Sequence, residues 1–107
     1  MTQKEKLEEL KTKCENAGFK YAYGKFEEPT PPPHLVAIIN DTDNFMADNK
    51  VYYGPIPIQL DHTYIVKDLD AQEKIEKEIL GDVAWNKTVE TYLQDEDVWQ
   101  VSYFFEL

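Results

Sequence analysis

Three carboxylates close together, Asp41, Asp43 and Asp48, are the first residues whose spacing suggests chemistry, because a hard cation such as calcium takes several oxygen ligands from one short loop. The register fails. Counted from Asp41, an EF-hand loop needs glycine sixth and a bidentate glutamate twelfth, and Met46 and Tyr52 stand there. The segment therefore reads as an acidic turn. His34 and His62 belong to no close-spaced cluster, and Cys14, the single cysteine, falls on a helical pattern facing the core, where a thiol acts as a small hydrophobe. With 21 Asp and Glu in the chain, carboxylate pairs are inevitable and discriminate nothing. Gly18, Gly24, Gly54 and Gly81 are too scattered to cradle a phosphate. No catalytic residue, cofactor or metal ligand is assigned, and the chain is expected not to be an enzyme.

The aromatic residues are more informative. They make up 13% of the chain, and such rings are enriched in interfaces as well as cores. Phe45, Met46, Tyr52 and Tyr53 lie in or beside a polar segment, which makes them candidates for contact with another subunit or a partner.

The elements that must position these residues follow from periodicity. Thr2 and Glu5 have capping-box spacing, and Leu7, Leu10, Cys14 and Ala17 recur at helical intervals, predicting a helix over 3–17 that Gly18 ends. Phe19, Tyr21 and Tyr23 alternate in a strand running to about Phe26, before a proline tract at 27–33 that reads as a stiff connector. Leu35 to Ile39 is a continuous β-prone run, followed by turn chemistry at 40–44. A strand begun at 51–53 is interrupted by Gly54, Pro55 and Pro57. Ile56, Ile58, Leu60, Tyr64 and Val66 then keep period two with His62 on the same face, predicting a strand over 56–66. Asp70 and Glu73 offer a second capping box for a helix over 70–80, with Gly81 as its stop. Strands over 85–93 and 98–107 flank the polar loop Gln94-Asp95-Glu96-Asp97, and Trp99, Val101, Tyr103, Phe105 and Leu107 share the buried face of the second. The expected fold is one α+β domain over 1–107, a mainly antiparallel sheet with two helices packed on one face, in the order αβββαββ.

Charge narrows the partners. Eleven basic against 21 acidic residues leave −10, which disfavours specific nucleic-acid binding. The start of the chain has no apolar signal-like region and no stretch approaches a membrane span, so a cytosolic protein without membrane contact is expected. The triplets Asn40-Asp41-Thr42 and Asn86-Lys87-Thr88 then read as chance matches to a glycosylation pattern.

Gly18-Phe19 with Ala22-Tyr23-Gly24-Lys25-Phe26, then Asp43-Asn44-Phe45-Met46-Ala47-Asp48-Asn49-Lys50-Val51-Tyr52, resemble a family of short structural proteins from prophages of Gram-positive bacteria. Glu90-Thr91-Tyr92 and Tyr103-Phe104-Phe105-Glu106-Leu107 are similar to theirs as well. The resemblance spans nearly the whole chain, and none of these pieces is a chemical signature. It implies a protein of long-tailed phages with a tail-terminator-like fold, acting in tail termination or head-tail joining. It further implies a homo-oligomeric ring, hexameric in that family type, in contact with the tail tube and head-completion proteins, assembled in the host cytoplasm and carried in the virion. The stretch Gly54-Pro55-Ile56-Pro57 departs from the family's pattern before the long strand. An acidic lumen through which DNA slides would be consistent with the net charge. The competing reading is an acidic binding module that inhibits a host protein, against which Lys4, Lys6, Lys11, Lys13, Lys74 and Lys77 break up any phosphate-like row.

Overall fold

The computed structural model describes residues 2–40 and 55–107. The acidic turn, the interrupted strand at 51–53 and the interface candidates Phe45, Met46, Tyr52 and Tyr53 all lie outside the described residues.

Helix α1 spans Gln3–Asn16, and its capping box is closed in both directions: Thr2 N donates to Glu5 Oε1 at 2.9 Å and Glu5 N to Thr2 Oγ1 at 3.2 Å. Leu10, Cys14 and Ala17 are buried along one stripe. Gly18, at φ +92°, turns the chain out of the helix, as the left-handed stop requires. The ammonium of Lys74 donates to Ala17 O at 3.0 Å, so a cation from a distant helix satisfies the C-terminal end of α1.

Strand β1 covers only Tyr21–Tyr23, shorter than the run to Phe26 that alternation suggests. Gly24, at φ +80°, bends the backbone away after Tyr23. The proline tract carries the chain across to β2, His34–Ile39, which runs parallel to β1, with Tyr21 opposite Leu35 and Tyr23 opposite Ala37. Strand β3, Pro57–Tyr64, pairs antiparallel with β2 and with β6, Val98–Glu106. Strands β4, Trp85–Lys87, and β5, Thr91–Leu93, both lie antiparallel along the other side of β6. The single strand expected over 85–93 is broken at 88–90, where Thr88 N donates to Ser102 O and Ser102 N to Thr88 Oγ1. The sheet is thus mixed, in the order β1-β2-β3-β6-β4 with β5 also on β6, and one of its pairs is parallel.

The second helix begins two residues before the expected cap. Asp68 Oδ1 accepts from Ala71 N at 3.1 Å, which makes Asp68 the N-cap and places Asp70 inside the first turn of α2, Leu69–Lys74. The chain then widens into a π-helical turn, Ile75–Ile79, closed by Leu80 N donating to Ile75 O at 3.0 Å. This wider turn lets Ile75, Ile79 and Leu80 all point inward. Gly81 is needed for a different reason from Gly18: a Cβ there would stand 2.3 Å from Lys77 O.

Both helices cover one face of the sheet. Leu10 and Cys14 of α1 join Ile75, Ile79 and Leu80 of the second helix in one cluster with Leu35, Leu60, Tyr103 and Phe105 of the sheet. The opposite face carries Val36, Ile38, Gln59, Asp61, Ser102 and Phe104, and no helix lies among the described residues packed on it. There Asp61 Oδ1 accepts from Ser102 Oγ at 2.6 Å and from Gln59 Nε2 at 2.9 Å.

Candidate functional site

The structure separates the residues that could have formed a catalytic group. His62 lies on the helix-covered face, 2% exposed, with its ring 4.8 Å from Tyr64 and 6.0 Å from Phe19. Burial, with the nearby charge of Lys67, pushes its pKa down to about 4, so the imidazole is neutral at pH 7. Its Nε2 has no hydrogen-bond partner among the described residues. His34 pairs with Thr63 on the opposite face, beside the Phe26 ring, and its pKa is lowered by burial and then by Lys20. The two imidazoles therefore face different sides of the sheet. Cys14 is buried, and burial pushes its thiol up to about 12, far from a reactive thiolate. Among the described residues no group of three or more His, Cys, Asp or Glu side chains could hold a metal ion.

Two carboxylates, Glu76 and Glu90, are tied into structural networks. Burial raises the Glu76 pKa, but hydrogen bonds from Lys87, Tyr103 and Gln72 outweigh it and hold the carboxyl below its usual range. Lys87 Nζ stands 2.8 Å and the Tyr103 hydroxyl 2.9 Å from Glu76 Oε2, which pins the second helix to the centre of the sheet. Glu90 accepts from the Tyr64 hydroxyl and pairs with Lys67 at 2.9 Å, and these two contacts lower its pKa.

The Glu90 network has a second consequence. It brings the turn after β3 against the segment between β4 and β5, and the apolar side chains of both are left in solvent. Val66 is 77% and Val89 82% exposed, and Ile65 and Leu69 are also well exposed. Beside them Tyr92 and Trp99 pair cross-strand, with ring centroids 5.1 Å apart, and both remain exposed. Trp99 is opposite the buried Tyr64, yet it stays 37% exposed itself. Period two therefore assigned the right face to Trp99 but the wrong environment, and the strand expected over 56–66 ends at Tyr64, which leaves Val66 outside it. The signal that could have revealed this is the pair Ile65-Val66, which breaks the alternation just before the charged Lys67-Asp68.

The hairpin that carries Tyr92 and Trp99 ends in Gln94-Asp95-Glu96-Asp97, with Asp97 at φ 55° and its carboxylate accepting from the Tyr92 hydroxyl. Aromatic and aliphatic side chains of this kind are enriched in contact surfaces. No helix among the described residues is long and apolar enough to cross a membrane. In comparison with known proteins, no family model, no curated protein and no solved structure matches the chain.

Proposed function

We propose that this chain is a non-enzymatic structural component of a phage virion, of tail-terminator or head-tail joining type, that assembles into a ring at the junction of head and tail. The observation that carries the reading is the set of exposed apolar side chains, Ile65, Val66, Leu69, Val89, Tyr92 and Trp99, on segments that the contacts of Glu90 with Tyr64 and Lys67 and the Tyr92–Trp99 pair tie together. Exposed apolar groups gathered in one place and rimmed by charge mark a contact surface. The resemblance of 18–26, 43–52 and 90–107 to short prophage structural proteins supplies the class, including the hexameric ring and its contacts with the tail tube and head-completion proteins. A net charge of −10 suits a component past which DNA must move without being gripped.

The test is genetic and visual. A phage or prophage deprived of this chain should give separate heads and tails, or tails of irregular length, under the electron microscope, and the wild-type chain supplied in trans should restore joined particles. Complete, infectious virions without the chain would overturn the reading.

A further inference from the structure

The two edges of the sheet differ in charge and in what they expose. The first 25 residues, which form α1 and β1, hold six of the 11 basic residues and four of the 21 acidic ones. Beyond Lys87 the chain has no further lysine or arginine, yet it carries Glu90, Asp95, Glu96, Asp97 and Glu106. Because β1 is one edge of the sheet and β4 with β5 is the other, this skew in sequence becomes an opposition in space.

The β1 edge also offers a receptacle. A groove of about 370 Å³ runs between α1 and β1, with Leu7, Tyr21 and Tyr23 on its floor and Lys4 and Lys11 beside Glu8 on its rim. Lys4 and Lys11 are exposed and make no ion pair among the described residues. Tyr23 is half exposed, and β1 pairs on one side only, with β2, among the described residues. Such an edge is a template for another chain. The far edge presents Val89 and Tyr92, with Trp99 beside Tyr92 on the adjoining strand and the acidic tip at Asp95 and Glu96.

We propose that copies of this chain associate head to tail, the groove and edge of α1 and β1 in one copy receiving the 89–97 hairpin edge of the next. Apolar side chains meet apolar side chains, and Asp95 and Glu96 meet Lys4 and Lys11. A second copy is the occupant that this skew favours, because two copies of a chain of net charge −10 repel overall while contact between its lysine-bearing groove and its acidic hairpin tip is attractive. Two different surfaces in contact make a heterologous interface, which repeats and ends either in a closed ring or in an open filament. The assignment rests on the ring-forming reading only for the choice of closure.

Sedimentation and light scattering of the purified chain test it. The wild type should associate, more weakly as salt is raised. Lys4→Glu with Lys11→Glu, and separately Asp95→Lys with Glu96→Lys, should each keep a wild-type circular dichroism spectrum and weaken association by about tenfold or more. An equimolar mixture of the two variants should restore association, since each then offers the edge the other has lost. A Lys11→Cys, Glu96→Cys double variant should form a ladder of disulfide-linked species on oxidation. A wild type that stays monomeric, variants that associate as the wild type does, a mixture that does not recover, or no ladder would each overturn the proposal. The two readings fail separately. Incomplete particles without the chain, together with charge-reversed variants that still associate, would remove this interface and keep the virion role. Restored association in the mixture, together with complete particles made without the chain, would do the reverse.

Discussion

Strand β6 passes through two environments, and the contrast between them separates what holds this molecule together from what it can offer to another. In its second half, Val101, Tyr103 and Phe105 lie beneath both helices, and the Tyr103 hydroxyl is held by Glu76. At its start, Trp99 has the same strand geometry and the same face, but it leans against Tyr92 at a tilted 53° and remains exposed. Identical periodicity thus yields core at one end and contact surface at the other. The alternation of the strand does not by itself tell the two apart.

Substitutions along this line should give unequal effects. The largest belongs to Phe105→Ala in the covered half, which should cost about 3–5 kcal/mol in denaturant unfolding, because a buried ring is replaced by a cavity. An unchanged midpoint would mean that the covered half does not carry the stability.

Next comes acid. His62 is held neutral in the folded chain with its pKa down at about 4, against about 6.5 when unfolded. Its contribution is therefore complete above pH 6.5 and drains away as pH falls toward 4, since only the unfolded chain takes up the proton in that window. The loss should reach about 3 kcal/mol. Comparing stability at pH 7 and pH 4.5 in wild type and in His62→Phe isolates it, and the variant should lose less across the window.

Glu76→Ala should cost about 1–3 kcal/mol, because it leaves the buried Tyr103 hydroxyl without its acceptor. Thermal unfolding of Glu76→Ala beside Glu76→Gln checks this, the amide retaining an acceptor and losing less. The smallest effect lies at the uncovered end, where Val89→Ser should change unfolding by no more than about 0.5 kcal/mol and still weaken self-association. A large loss of stability there would turn the surface back into core.

The same contrast explains which features were readable in the sequence. The capping box at Thr2 and Glu5 is local, and it formed as its spacing indicates. Asp68 and Asp70 both satisfy the sequence rule for an N-cap, and the choice between them depends on where Ile75, Ile79 and Leu80 must meet the sheet. The widening at 75–79 is legible only in hindsight, from apolar residues at both 79 and 80. Gly81 looked like an ordinary helix stop, yet its lack of a Cβ matters because Lys77 O lies in the way. The exposed surface was missed because its parts are distant in sequence and are assembled by Glu90 with Tyr64 and Lys67. The candidates Phe45, Met46, Tyr52 and Tyr53 lie outside the described residues and bear on neither half of the comparison.

The central position of β6 also governs the order in which the molecule can be made. Its neighbour β3 ends at Tyr64, while β6 starts at Val98, so at ordinary translation speeds β3 waits roughly two to seven seconds for the strand that will cover its open side. During that wait β2 can pair with one side of β3, and the other side is free to meet the same strand of a neighbouring nascent chain. Asp61 stands in the middle of that exposed ladder, where a charge obstructs stacking between copies, and Ser102 arrives later to hold it in place. An ionised carboxylate at that position thus disfavours pairing between two copies of β3 for as long as β6 is unmade.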